Sequence, residues 1–448
     1  MHTATGTRRR WAHSIGEVDS LRSGVLVLGC LALYVGVLAV GATTLSAGGR
    51  HGALRPGAVR GLMAFSVALL LSALALVVTA ATPNTQCDDS KPEKTWRDYA
   101  SDTSFRKKFR FAASDMPRLI TALGLDADEA AGNCREVGYT FSADTAISVL
   151  LFTFTTGATL NELNQKFGLK RSKASAVLQW STRTVYDRWH KSLLCTDFRR
   201  WAPHFPEWAE AVFKRQGRLE GYRGIVAFVD GTFFATCRPK NMLQRFFFSG
   251  HKWKHGVHFQ GVLAPIGLLI DFCGPFEGRH TDRWMLKVSK LLERFEDCMV
   301  WATTQAWGAA EWVAQIFYLF GDAGYNRRAY LQTQHSGGHL TAAQTSCNLS
   351  LSWTRIANEW IYGRMERLWA YLSRRSELKI GRGNVGQVVT VAAILTNALT
   401  CCDGGNQTSE YFGLTHLVPT LEEYFGGAPR ADACPPAWYE NWCEFPQT

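Results

Sequence analysis

The alternation of apolar and polar positions changes character along the chain. Residues 23–49 and 61–87 carry no Asp, Glu, Lys or Arg, and each run is 27 residues long. About 20 apolar residues suffice to cross a bilayer core. Residues 24–45 and 62–79 are dense in Leu, Val and Ala, with Arg50, Arg55 and Arg60 in the link between the runs. The pattern predicts a membrane hairpin within residues 23–87, or one anchor and a buried helix. The first run is too long and starts too late for a signal peptide. Arg on both of its flanks leaves the orientation open. A fused or wrongly translated leader is the competing reading of the same residues.

From Asp88 the chain turns polar, and residues 88–99 read as a linker. Residues 105–125 alternate basic and apolar positions at helical spacing, and 143–156 predicts an apolar core helix. Thr159 and Glu162 form a T-x-x-E capping box that opens a helix over 161–167. Gly168 ends it, Leu169 and Lys170 turn the chain, and Ser172 is expected to cap a second helix running to His190. Helix, glycine turn and capped helix make a helix-turn-helix over about 159–190. Lys170, Arg171 and Lys173 head the second helix, where they are candidate DNA contacts. A plain helical hairpin with a solvated basic face has the same pattern.

After a linking helical segment over 201–220, the period changes to two. Strands are predicted at 224–236, 257–264 and 267–273, the last two joined by the turn Pro265-Ile266-Gly267. An amphipathic helix follows at 282–295, a buried strand at 316–320, and helices at 352–372 and 385–399. The order β, β, β, α, β, α predicts an α/β class, a mixed sheet with helices on its faces. The expected divisions are residues 1–87, a helical region 88–220, the α/β domain 221–425 and a tail 426–448.

Composition adds two constraints. The formal charge of +11 suits a polyanionic partner, although the excess is spread along the chain. Twelve cysteines without a C-x-x-C pair read as single reduced thiols, not a disulfide framework or zinc ribbon. Zinc is also disfavoured at His255 and His258, which would face opposite ways on one strand.

The candidate chemistry is carboxylate chemistry. The apolar run Ile225–Val226–Ala227–Phe228–Val229 ends on Asp230-Gly231-Thr232, and a second apolar strand ends on Asp322. An Asp before Gly also closes ordinary turns. Two such acids at one sheet edge, joined by a Glu from a helix, are what a pair of Mg²⁺ or Mn²⁺ ions needs. Glu359 and Glu366 lie seven residues apart on one helical face, and spacing does not choose between them. Arg355, four residues before Glu359, can pair with it.

These motifs resemble the PIF/Harbinger-type DDE transposases and the nuclease-like proteins derived from them, over roughly residues 105–424. VDGT carries the first Asp. FFSGHKWKHGVHFQGV, with Ser249, Gly250, Lys252, His255 and Gln260, is similar to the S-G-K-x-x-x-H-x-x-x-x-Q segment. GPFEGRHTD resembles the P-G-x-x-H-D turn, with Thr281 inserted between His280 and Asp282. LFGDAGY carries the second Asp, and NLSLSWTRIANEW matches N-x-x-x-S-x-x-R-x-x-x-E through Asn348, Ser352, Arg355 and Glu359. The resemblance implies an RNase H-like fold and a DNA endonuclease with possible strand transfer. It implies Asp230, Asp322 and Glu359 as catalytic acids, and those three with Asp282 as metal ligands. The inserted Thr281 leaves Asp282 equally readable as a helix cap. Lys252, His255 and Arg355 join Lys170, Arg171 and Lys173 as DNA contacts. It further implies a nuclear location, a Myb-like partner protein and a homo-oligomer. The rivals are a domesticated DNA-binding protein that no longer cuts and a membrane-anchored interaction protein.

Overall fold

In the computed structural model the described residues are 92–426, apart from 128–134, 137, 195–196, 241–242, 305–315, 375–377 and 381–383. The expected membrane hairpin at 23–87 and the tail beyond 426 lie outside them.

The sheet is built around β1 (Ile225–Ala235). On one side β1 pairs antiparallel with β2 (Lys254–Leu263), which pairs antiparallel with β3 (Leu269–Glu277). On the other side β1 pairs parallel with β4 (Tyr318–Gly321), and β4 pairs parallel with β5 (Leu331–Thr333). The order is therefore β3-β2-β1-β4-β5, with a sixth two-residue strand, Phe248–Ser249, against the start of β2. Ile225 through Val229 are all buried, as a central strand covered on both faces requires. This is the mixed α/β class that the period changes predicted, and it is compatible with a nuclease fold.

The helices are α1 (Ala143–Thr156), α2 (Leu160–Phe167), α3 (Arg171–Leu194) and α4 (Phe205–Arg215). After β3 come α5 (Asp282–Val288) and α6 (Leu291–Thr303); after β5, α7 (Ala342–Leu368) and α8 (Val385–Asp403). α8 packs on α3 and β3, α4 packs on β1, and α7 crosses β1 and β2. By length and composition α8 could cross a membrane, yet 83% of its most apolar window is buried inside the protein. Its one strongly polar buried side chain is fully used. Asn397 Oδ1 accepts from the Leu269 N–H at 3.0 Å, and its Nδ2 donates to Leu269 O at 2.8 Å and to Tyr424 Oη at 2.7 Å. The main core runs from Trp96 to Phe425, and Cys273, Phe276 and Met285 form a small second cluster.

Several boundaries differ from expectation. The helix expected at 282–295 is two helices. Lys290 is left-handed with φ +49°, and the buried Ser289 before it turns its hydroxyl to Gln260 Oε1 at 2.8 Å. The helix expected at 105–125 is interrupted at Arg110, φ +69°, whose Nε donates to Leu368 O at 3.0 Å. α7 begins ten residues before the expected 352, at a capping box made by Thr341 and Gln344, and ends at Leu368. β5 was not predicted; three residues carry too little periodicity to be read. The Thr159–Glu162 capping box and the left-handed Gly168 are present as expected. Ser172 does not cap α3: the helix already starts at Arg171, and Ser172 Oγ pairs with Tyr139 Oη at 2.7 Å.

The sheet carries one fully buried acid away from Asp230 and Asp322. Asp271 on β3 is 1% exposed and is paired with Arg294 of α6. Breaking a buried pair strands a charge and costs about 3–5 kcal/mol, whereas replacing both partners with apolar groups can be near neutral. Arg294→Met should lower stability to urea by about that amount. The double variant Asp271→Leu/Arg294→Met should recover most of the loss.

Candidate active site

Backbone register brings the first two acids together. The parallel pairing of β1 with β4 sets Val229 beside Gly321, so the next residues come side by side: Asp230, which continues in β1 opposite Gly261 of β2, and Asp322, just past the end of β4. Each is steadied locally. The Gly231 N–H donates to Asp230 Oδ1 at 2.9 Å, and the Gly324 N–H donates to Asp322 Oδ1 at 2.9 Å.

A third carboxylate arrives from α5. Thr281 is the N-cap, accepting from the Trp284 N–H at 3.4 Å. The residue inserted before Asp282 thus takes the capping role, and Asp282 occupies the first helical position. Its carboxylate lies over Gly231, where a Cβ would overlap Asp282 Oδ1. Only glycine after Asp230 admits this approach. Arg283 Nε donates to Gly324 O at 2.6 Å and ties the start of α5 to the loop behind Asp322.

These acids line a cleft of about 990 Å³ together with Glu366, His251, Lys252, Lys254, His258, Arg279 and His280. Burial, then the charge of Asp322, push the Asp230 carboxyl up to about 7, while Arg355 and the Gly231 N–H pull it the other way. Burial, then Asp322, also raise Asp282. Like charges this close are stable only with a proton or a cation among them. His258 is driven down to about 4, mainly by burial, so it is neutral near pH 7.

A polar layer behind the acids fixes the strand edge. Tyr362 of α7 donates its hydroxyl to the Asp230 carbonyl at 3.1 Å, in space left open by Gly261, where a Cβ would meet the hydroxyl oxygen. Gln260 donates to Tyr325 Oη at 3.3 Å and accepts from Ser289. No motif marks Tyr362 or Tyr325 for a role. The one signal for Tyr362 is its spacing between Glu359 and Glu366 on the same helical face.

The remaining sequence candidates divide. Glu359 is exposed and accepts from Arg355 Nη2 at 3.3 Å, outside the lining of the cleft that Glu366 enters. Arg355 is therefore shared between Glu359 and the field at Asp230. Lys252 is exposed on the cleft wall. His255 packs against Phe248 at 5.3 Å, and burial followed by Arg238 lowers its pKa. Lys170 and Arg171 are exposed at the start of α3. Lys173 is held by both oxygens of Glu93, at 2.6 and 2.9 Å. Beyond its first turn α3 is largely a core helix, with Ala174, Val177, Trp180, Ser181 and Val185 buried.

Among the described residues no three His, Cys, Asp or Glu side chains already stand as a metal cage. Mg²⁺ does not require one: it keeps several waters and binds through one or two carboxylates plus substrate phosphates. A pair of acids on adjacent strands, one of them raised in pKa by burial and then by its neighbour's charge, fits that donor set.

The crowding has a measurable sign. Because the folded protein holds the Asp230 proton near 7 rather than 3.8, its contribution to stability is full at low pH and lost as pH rises through 7. In EDTA the wild type should lose stability between pH 5 and pH 8 relative to Asp230→Asn. The variant's advantage should be smallest below about pH 4 and grow by about 2–3 kcal/mol between pH 5 and pH 8, read by urea unfolding at each pH.

No curated protein and no solved structure matches the chain. Residues 229–397, which run from the position before Asp230 into α8, match the family model described as DDE superfamily endonuclease, and over that stretch the chain is similar to a transposase-type nuclease.

Proposed function

We propose that the protein is a divalent-metal-dependent DNA endonuclease of the PIF/Harbinger transposase type, built on an RNase H-like sheet. The observation that carries the proposal is the place where Asp230 within β1 and Asp322 just past the end of the parallel β4 come together and Asp282 closes over Gly231. The order β3-β2-β1-β4-β5 and the family match over 229–397 support it. Asp230 and Asp322, with Asp282, would hold Mg²⁺ or Mn²⁺. Bound there, such ions activate an attacking oxygen and stabilise the leaving oxygen of a phosphodiester.

The chain's own residues do the rest. Lys252 and Lys254 on the cleft wall offer charge to the DNA backbone on either side of the scissile phosphate. Tyr362 and the Gly231 N–H hold Asp230 in one orientation, so its oxygens face the cleft without reorganisation. Glu359 is the third acid of this reading. It reaches the cleft when Arg355 exchanges its carboxylate for a DNA phosphate, a group that guanidinium binds equally well. After hydrolysis the freed 3′-OH can attack a second strand in the same cleft.

A second reading, DNA binding without cleavage, is favoured by the Glu359–Arg355 pair, which holds that acid away from the others. Nicking of supercoiled plasmid in Mg²⁺ or Mn²⁺ separates the two. Asp230→Ala and Asp322→Ala should each lose about a hundredfold or more in rate with unchanged circular dichroism. Glu359→Gln should fall as far, and Glu366→Gln by less than about tenfold; the reverse order would move the third-acid role to Glu366. Undiminished nicking by Asp230→Ala would end the nuclease reading. Gel-shift binding by a wild type that never nicks would select the second.

A further inference from the structure

The hairpin that forms one wall of the cleft carries, outside the cleft lining itself, a side chain that the acid chemistry does not use. Trp253 is 81% exposed, the most exposed large hydrophobic residue among the described ones. It stands at the tip of the hairpin that joins the two-residue strand Phe248–Ser249 to β2, in which Phe248 pairs with His255 and Ser249 with Lys254. Its backbone is left-handed, φ +52°, a region that costs a bulky residue and is kept where the surroundings impose it. Its ring is not loose. Phe248 meets it edge-on, with centroids 6.3 Å apart, and Phe248 in turn packs against His255. The indole is thus propped outward from a braced base.

Its neighbours define what it can meet. His251, Lys252 and Lys254 flank it in sequence, and all three line the cleft that holds Asp230, Asp282 and Asp322. An exposed aromatic side chain flanked in sequence by two lysines suits a ligand that is both anionic and planar. Paired bases in a duplex are already stacked on each other, so the exposed ring has most to gain from an unpaired nucleotide.

We infer that Trp253 is a base-stacking post: it takes an unstacked nucleobase next to the scissile phosphate, while Lys252 and Lys254 hold the adjoining phosphates. The inference rests on the DNA-cleaving reading above and narrows its substrate to DNA with unpaired nucleotides at the site.

The test is binding of the full chain to a labelled single-stranded oligonucleotide and to its fully paired duplex, by fluorescence anisotropy over a range of salt. Ca²⁺ replaces Mg²⁺ to keep the DNA intact. Trp253→Ala should weaken single-strand binding about tenfold and duplex binding by less than about twofold. The salt slope should not change, because no phosphate contact is lost. Trp253→Phe keeps a stacking face and should stay within about threefold of wild type. Lys252→Ala should reduce the salt slope by about one on both DNAs. Equal affinities for wild type and Trp253→Ala, or equal losses on both DNAs with unchanged circular dichroism, would overturn the stacking role alone. A wild type that binds neither DNA would overturn the DNA reading itself.

Discussion

The parallel register between β1 and β4 is the constraint on which the rest of the site depends. Once Val229 lies beside Gly321, Asp230 and Asp322 must come side by side, and their charges must share one place. Within the strands the Gly231 N–H offsets that repulsion only in part. The repulsion is tolerated because the strands behind the acids are buried and cannot move apart. Burial first, and the charge of Asp322 second, raise the proton affinity of Asp230.

The layers around the edge serve the same end by different means. Gly231 and Gly261 remove side chains where Asp282 and Tyr362 must approach. Arg283 and Thr281 fix the start of α5, so that Asp282 meets the strand ends at one angle. Gln260, Ser289 and Tyr325 form a buried chain behind the sheet edge, and the break between α5 and α6 is what lets Ser289 join it. Farther away, Asn397 couples α8 to β3 and Tyr424. The acid edge therefore rests on the core that gives the domain its stability, and the basic hairpin at the cleft mouth is the part that faces outward.

That division also separates the two roles of positive charge. The cations expected at the head of α3 belong to a helix whose remaining turns are mostly core, and one of them, Lys173, is already neutralised by Glu93. The lysines on the β2 hairpin stand on the cleft wall instead. Charge beside the acids is better placed to act on a reacting phosphate than charge at a distance, because attraction at an exposed surface falls off within about 10 Å at moderate salt.

Much of the architecture was legible in the sequence. The capping box at Thr159 and Glu162, the apolar helix at 143–156, the central strand expected at 224–236 and the apolar α8 all follow from local rules. Each depends on residues within a turn or two of one another, where spacing and side-chain chemistry decide the outcome. The tertiary structure alone decided which acids meet. Asp282 joins Asp230 because Thr281 takes the cap and Gly231, far off in the chain, leaves a gap. Glu359 and Glu366 share a helical face, yet one pairs with Arg355 and the other enters the cleft, a choice set by what packs against α7. The pairs Lys173–Glu93 and Arg294–Asp271 likewise join residues that no local period connects. Periodicity reports which face of an element is buried; only the packed chain determines which side chain stands opposite it.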